Sequence, residues 1–201
     1  MNFLLSMEYI NVLTTCKACN MSIKSVGLFC AASETIDAIY ADEASKVGTL
    51  LGNNGISLFY GGAAAGLMEV VAKSVKSAGG RVIGVVPQIL IKRNRVSTLL
   101  DDRIVTENLS DRKDAIIANS DIVIALPGGI GTLDELFHLL AGVTIGYHNK
   151  AIILYNVNGF WDSLLAMLND FSNKGFVRCE LCENLLVANS VGELSSLLHL
   201  K

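Results

Sequence analysis

Two charged residues and a run of glycines are the parts of this sequence equipped to do chemistry: Arg112, Glu135 and the stretch DIVIALPGGIGTLDE from Asp121 to Glu135. Pro127 stops an apolar run, and Gly128, Gly129 and Gly131 let the backbone turn tightly with its N–H groups free. Thr132 then opens an amphipathic helix that runs to about Gly146. A strand, a glycine turn and a helix N-terminus in that order cradle an anion, most often a phosphate. The cradle here is Gly128, Gly129, Ile130, Gly131 and Thr132. The same residues admit a plainer account, a tight turn in which Thr132-x-x-Glu135 is a capping box and Glu135 only ties off its own helix.

Arg112 asks for an anion on electrostatic grounds. With Ser110 or Asp111 as N-cap, it falls in the first turn of a helix, where the dipole disfavours a cation by about 0.3 to 1 kcal/mol. A charge-assisted hydrogen bond, about 1.5 to 3 kcal/mol, outweighs that. The anion is either a ligand or a neighbour such as Asp111 or Asp114.

The elements that must position these groups follow from periodicity. Strands are expected at Ser25–Cys30, Ile56–Tyr60, Arg81–Val86, Ile104–Thr106, Ile122–Ile124, Ala151–Tyr155 and Leu185–Ala188. Helical spacing falls between them, from about Thr35 to Asn53, after Gly66, from about Asp111, at Phe160–Asn173 and at Val191–Leu200. Gln88 to Arg103 reads as a basic loop. The alternation argues for one doubly wound α/β domain, Rossmann-like, with a mostly parallel sheet of about seven strands. Ligands in such sheets bind beyond the carboxyl ends of the strands. The Ser33 turn, the Gly61-Gly62 turn, the Pro87 loop and the Pro127 turn all lie at those ends, so one cleft is expected to be lined by all four.

Residues 1–21 carry no clear periodicity and read as an extension ahead of a domain spanning 22–201, with Met21 an alternative start. An apolar fraction of 51% with 17% charged residues excludes a disordered chain, and the net charge of −3 gives no field for nucleic acid or an anionic membrane. No apolar run is long enough to span a membrane, and the N-terminus lacks a basic start, so a cytoplasmic protein is expected. Five cysteines, an odd number, fit reduced thiols there. Cys16-x-x-Cys19 and Cys179-x-x-Cys182 have the spacing of half zinc sites, but zinc-ribbon halves lie much closer together in sequence, so the pairs read as incidental. His138, His148 and His199 are too scattered for an evident metal site, and none is expected.

The ordered set FCAAS, YGGAAAGLM, GGRVIGVVP, DRK and PGGIGTLDE resembles the LONELY GUY family, the cytokinin riboside 5′-monophosphate phosphoribohydrolases. The resemblance runs from Ser25 to the C-terminus. It implies hydrolysis of the N-glycosidic bond of a nucleoside 5′-monophosphate to free base and ribose 5-phosphate, with no cofactor or metal. It assigns catalysis to Arg112 and Glu135, and substrate or phosphate binding to Lys113, Ser33, Gly61, Gly62 and the Gly128–Thr132 cradle. It also implies a homodimer, with the helix Leu133–Ile145 a candidate interface. The chain departs from the family at Ala63, at Leu109-Ser110, at Ala141-Gly142 and in Lys92–Arg95, where a glutamate is expected; these differences bear on the base pocket.

Three rivals remain in view. A non-catalytic carrier of a nucleotide-like or molybdopterin-type ligand would use the cradle but has no use for a carboxylate facing a sugar. Lysine decarboxylation, a label family members often bear, calls for a pyridoxal phosphate Schiff-base lysine, and no lysine is placed for one. A dinucleotide-dependent activity lacks its G-x-G-x-x-G fingerprint.

Overall fold

The computed structural model describes residues 22–177 and 184–200, so the expected extension 1–21 and both Cys-x-x-Cys pairs lie outside the described residues. Seven strands among the described residues form one sheet in the order β4-β3-β2-β1-β5-β6-β7. They are β1 (Ser25–Phe29), β2 (Ser57–Tyr60), β3 (Val82–Pro87), β4 (Asp102–Thr106), β5 (Ile122–Ala125), β6 (Ile152–Tyr155) and β7 (Leu185–Ala188). Every pairing is parallel. The helices are α1 (Ala38–Asn53), α2 (Gly66–Ser77), a short α3 (Gln88–Lys92), α4 (Leu109–Ala118), α5 (Ile130–Thr144), α6 (Asp162–Asn173) and α7 (Val191–Leu197).

The central strands are apolar throughout because both of their faces are covered. On β5, Ile122 and Ile124 join one core with Val47 and Leu51 of α1, Val71 and Val75 of α2 and Leu194 of α7. Val123 and Ala125 join the other, with Ile116 of α4, Leu136 and Leu139 of α5 and Leu168 of α6. No helix among the described residues is long and apolar enough to cross a membrane.

Strand order reverses between β1 and β5. After β1 the chain winds outward through β2, β3 and β4, then returns to place β5 on the other side of β1. The loops leaving the carboxyl ends of β1 and β5 therefore diverge and open a crevice there. The Ala31 N–H donates to the Pro127 carbonyl at 3.1 Å and ties the two loops together at its base.

Several element boundaries differ from expectation. Helix α1 starts at Ala38 rather than Thr35, with the Asp37 carboxylate accepting from the Ile39 N–H at 3.2 Å. Helix α4 is capped by Asn108, one turn earlier than Asp111, because the Asn108 side-chain oxygen accepts from both Ser110 N–H at 2.8 Å and Asp111 N–H at 2.9 Å. Helix α5 starts at Ile130, two residues before Thr132, with Gly129 as N-cap and no side-chain cap bond. The expected loop Gln88–Arg103 holds α3 and the start of β4, an edge strand whose exposed Asp102 and Arg103 stand opposite Ile83 and Gly84 of β3.

Candidate active site

Arg112 and Glu135 meet across the two helices that bracket the crevice. The Arg112 Nη2 donates to Glu135 Oε1 at 3.0 Å, and the two side chains are 15% and 10% exposed. The earlier N-cap puts Arg112 on the fourth residue of α4, so its long side chain reaches the carboxyl end of β2. Only a residue without a side chain permits this: a Cβ on Gly61 would stand 2.0 Å from Arg112 Nη2. Asp111 and Asp114 do not take the arginine, since Asp111 accepts from Asn108 at 2.9 Å and Asp114 contacts His138 at 2.7 Å.

Glu135 is not a helix cap. Its carboxylate accepts from Arg112 of α4, the start of its own helix has no side-chain cap bond, and burial pushes its pKa from the ordinary 4.5 up to about 7. Arg112 and Lys113 pull it down and Asp134 pushes it further up, but loss of hydration is the largest effect. One ion-pair bond does not replace the water that a carboxylate gives up on so buried a side chain, which is why desolvation wins over the arginine. A carboxyl that titrates near neutrality can take or give a proton at physiological pH. Cys30, at the end of β1, lies close enough to feel both Glu135 and Arg112, and burial pushes its thiol far up, keeping it neutral.

The cradle adjoins this pair on the first turn of the 15-residue α5. Its glycines divide into two kinds. A Cβ on Gly128 would strike Thr132 Oγ1 at 2.1 Å and Ala31 N at 3.0 Å, so Gly128 is required by packing, and Thr132 is buried against it at 3% exposure. Around Gly129 and Gly131 a Cβ would meet nothing within 4 Å, and Ile130 between them is 83% exposed. The protein itself does not need glycine at these two positions. Glycine there leaves the N–H groups of the helix start uncovered, an arrangement on which an anion can rest.

The other sequence-predicted residues fall as follows. Gly61 and Gly62 form the turn beneath Arg112, Gly62 with φ of 67°. The Ser33 main chain abuts the start of α2, where a Cβ on Gly66 would meet the Ser33 carbonyl at 2.6 Å, and its hydroxyl pairs with Thr35 at 3.2 Å. Lys113 is not brought to the cradle: its Nζ donates to both oxygens of Asp134 at 2.9 Å. Cys30 and Asp134 are members of the site that motif reading passed over. Position alone marks Cys30, the residue that follows β1; Asp134 carries no local signal. Among the described residues no group of three or more His, Cys, Asp or Glu is placed to hold a metal ion.

Comparison with known proteins gives a consistent picture. A family profile described as "Possible lysine decarboxylase" matches residues 68–198. The cytokinin riboside 5′-monophosphate phosphoribohydrolase of Mycobacterium tuberculosis is 36% identical over 167 residues, 83% of this chain and 89% of that protein. The rice (Oryza sativa subsp. japonica) protein named probable cytokinin riboside 5′-monophosphate phosphoribohydrolase LOGL5 is 38% identical over 154 residues; these cover 77% of this chain but only 63% of the rice protein's length. Among solved structures, the molybdenum cofactor binding protein of Rippkaea orientalis superposes with a TM-score of 0.68 at 27% identity, covering 89% of this chain and 97% of that one. By family profile and by identity across most of its length, the chain belongs to the LONELY GUY family, the family of the cytokinin riboside 5′-monophosphate phosphoribohydrolases.

Proposed function

We propose that this protein hydrolyses the N-glycosidic bond of a purine or cytokinin nucleoside 5′-monophosphate, releasing the free base and ribose 5-phosphate. The relatives' activity supports the reaction class. The observation that carries it in this chain is the buried Arg112–Glu135 pair beside an open cradle.

The 5′-phosphate rests on the N–H groups of Gly129, Ile130, Gly131 and Thr132, which holds the ribose over Glu135. Breaking the bond at C1′ leaves positive charge on the sugar, which the ionised Glu135 stabilises while it orients water for attack. The carboxylate takes a proton from that water as the new C–O bond forms. In the net reaction one proton of the water ends on the base nitrogen. Arg112 fixes the carboxylate through Nη2 and keeps its buried, unpartnered Nε for the ligand. Gly61 and Gly62 give the arginine room, and Ser33 borders the cleft at the end of β1. Lys113 acts on this site through Asp134, its neighbour on α5, rather than by touching substrate.

A carrier role is the second reading, favoured by the likeness to the molybdenum cofactor binding protein. A carrier gains nothing from a carboxylate held near its titration point inside the site. Pyridoxal phosphate chemistry does not fit these residues, because the Nζ of Lys113, the residue after Arg112, is bonded to both oxygens of Asp134. Base release from AMP and from isopentenyladenosine monophosphate, measured by chromatography with Glu135→Gln as control, separates hydrolase from carrier.

The reading extends to a cytoplasmic homodimer built on the domain 22–201. An apolar groove of about 410 Å³ between α5 and α6, lined by Phe137, Leu140, Ile145, Met167 and Phe171, supports the dimer, and none of its lining residues belongs to the cradle or the ion pair.

A further inference from the structure

Beyond Arg112, the segment after α3 carries a rim of exposed positive charge that pairs with no described residue. Arg112 lies on Gly61, at the end of β2, and the turn that follows is clasped to the segment after α3 by main-chain bonds. Ala64 N–H donates to the Arg95 carbonyl at 3.0 Å, Ser97 N–H donates to the Gly62 carbonyl at 2.9 Å, and Ala63 and Val96 form an antiparallel bridge. Lys92, Arg93 and Arg95 are thereby fixed at the carboxyl end of β3 and are exposed. None of the three makes an ion pair with a described residue, whereas Lys76 and Arg81 nearby on the chain pair with Asp101 and Asp102. Glu69, behind the turn on α2, has its Oε2 buried and bonded to no donor, so it does not neutralise them by pairing.

The order of the strands gives the rim its meaning. The cradle follows β5, Arg112 lies on Gly61 at the end of β2, and the rim follows β3. From β5 to β3 is three strand spacings, roughly 14 Å at about 4.8 Å each. A nucleotide whose phosphate is in the cradle and whose C1′ is at Glu135 directs its base towards β3. A neutral base needs no cluster of exposed cations there, and holding three like charges on one short segment is itself repulsive.

We propose that Arg93 and Arg95, with Lys92, are specificity-determining residues that select a nucleotide whose base bears an anionic, carboxylate-type substituent. This rests on the hydrolytic reading of the site. Guanidinium groups suit the task because they are always charged and bind carboxylates in two-point fashion.

The test compares kcat/KM for N6-succinyl-AMP, AMP and N6-isopentenyl-AMP in the full chain, its Arg93→Glu/Arg95→Glu variant and a Lys73→Glu control. Lys73 is an exposed, unpaired cation further along α2. The proposal expects N6-succinyl-AMP to exceed N6-isopentenyl-AMP at least tenfold, with the advantage shrinking as salt rises. The ratio of N6-succinyl-AMP to AMP should fall at least tenfold in the double variant and hold in the control. Preference for the prenylated nucleotide, or a ratio indifferent to the double reversal, overturns it. Calorimetric binding of the same three nucleotides reads the rim independently of turnover. If none is hydrolysed, the hydrolytic reading fails alone, and equal binding of all three then overturns the rim as well.

Discussion

The guanidinium of Arg112 occupies the space that a side chain on Gly61 would fill, 2.0 Å from where the Cβ would stand. A glycine at the end of β2 thus decides whether an arginine from α4 reaches a glutamate on α5. Gly61→Ala is expected to displace the guanidinium from Glu135 and lower kcat/KM for AMP by about 10- to 100-fold, the usual cost of a misplacement near 1 Å. Thermal unfolding should change little by comparison. Undiminished activity in this variant would separate Arg112 from the reaction.

Gly131 is expected to matter to the complex and not to the free protein. A methyl group at Gly131 meets nothing within 4 Å and adds helix propensity, so Gly131→Ala should leave thermal stability unchanged or raise it, by up to about 1 kcal/mol. In the proposed complex the phosphate rests on the N–H groups of this turn, so the same methyl should hold it off and KM for AMP should rise at least tenfold. A stable variant with unchanged KM would remove the phosphate from this turn.

The raised pKa of Glu135 has a sign in stability. Its carboxyl titrates at about 7 when folded and near the ordinary 4.5 when unfolded, so the folded state holds an extra proton between those values. Stability contributed by this group is present below pH 4.5 and is lost as pH rises through 7, by about 3 kcal/mol at about 1.4 kcal/mol per tenfold change in the proton equilibrium. The Tm of the wild type minus that of Glu135→Gln should therefore fall between pH 4.5 and pH 8. Activity should run the other way and climb through pH 7 as the carboxylate forms. A Tm difference that is flat with pH would place Glu135 in ordinary solvent.

Lys113 is 10% exposed in its side chain and relies on Asp134 for both of its bonds. Asp134→Asn should cost about 1 kcal/mol in urea unfolding, because a covered ammonium loses its counter-charge. KM for AMP should stay within about twofold. A tenfold rise would return Lys113 to direct contact with phosphate.

The fold was legible where the signal was local. Ile122–Ile124, Ala151–Tyr155 and Leu185–Ala188 are β-branched or apolar runs closed by turn residues, and all three are strands of the parallel sheet. Strand β4 was read short because, as an edge strand, it begins with the charged Asp102 and Arg103. The helix expected to open at Thr132 starts at Ile130 because Gly129 caps α5 with its backbone geometry and needs no side chain. Ser110 and Asp111 both resemble caps, and Asn108 holds the N–H groups of both. The partnership of Arg112 with Glu135 spans 23 residues of chain. Spacing along the sequence could not supply it; the family resemblance named both residues, and the fold shows how they meet. The Lys113–Asp134 bond had no such guide, and only the packing of α4 on α5 reveals it.

Free-base release from AMP by the purified chain and by Glu135→Gln at pH 8 tests the central claim most directly. The account predicts release by the wild type and a loss of at least a hundredfold in the variant, with calorimetry still detecting nucleotide bound to both. Equal release by the two proteins would contradict it, and bound nucleotide with no release from either would leave Gly129–Thr132 as the cradle of a carrier.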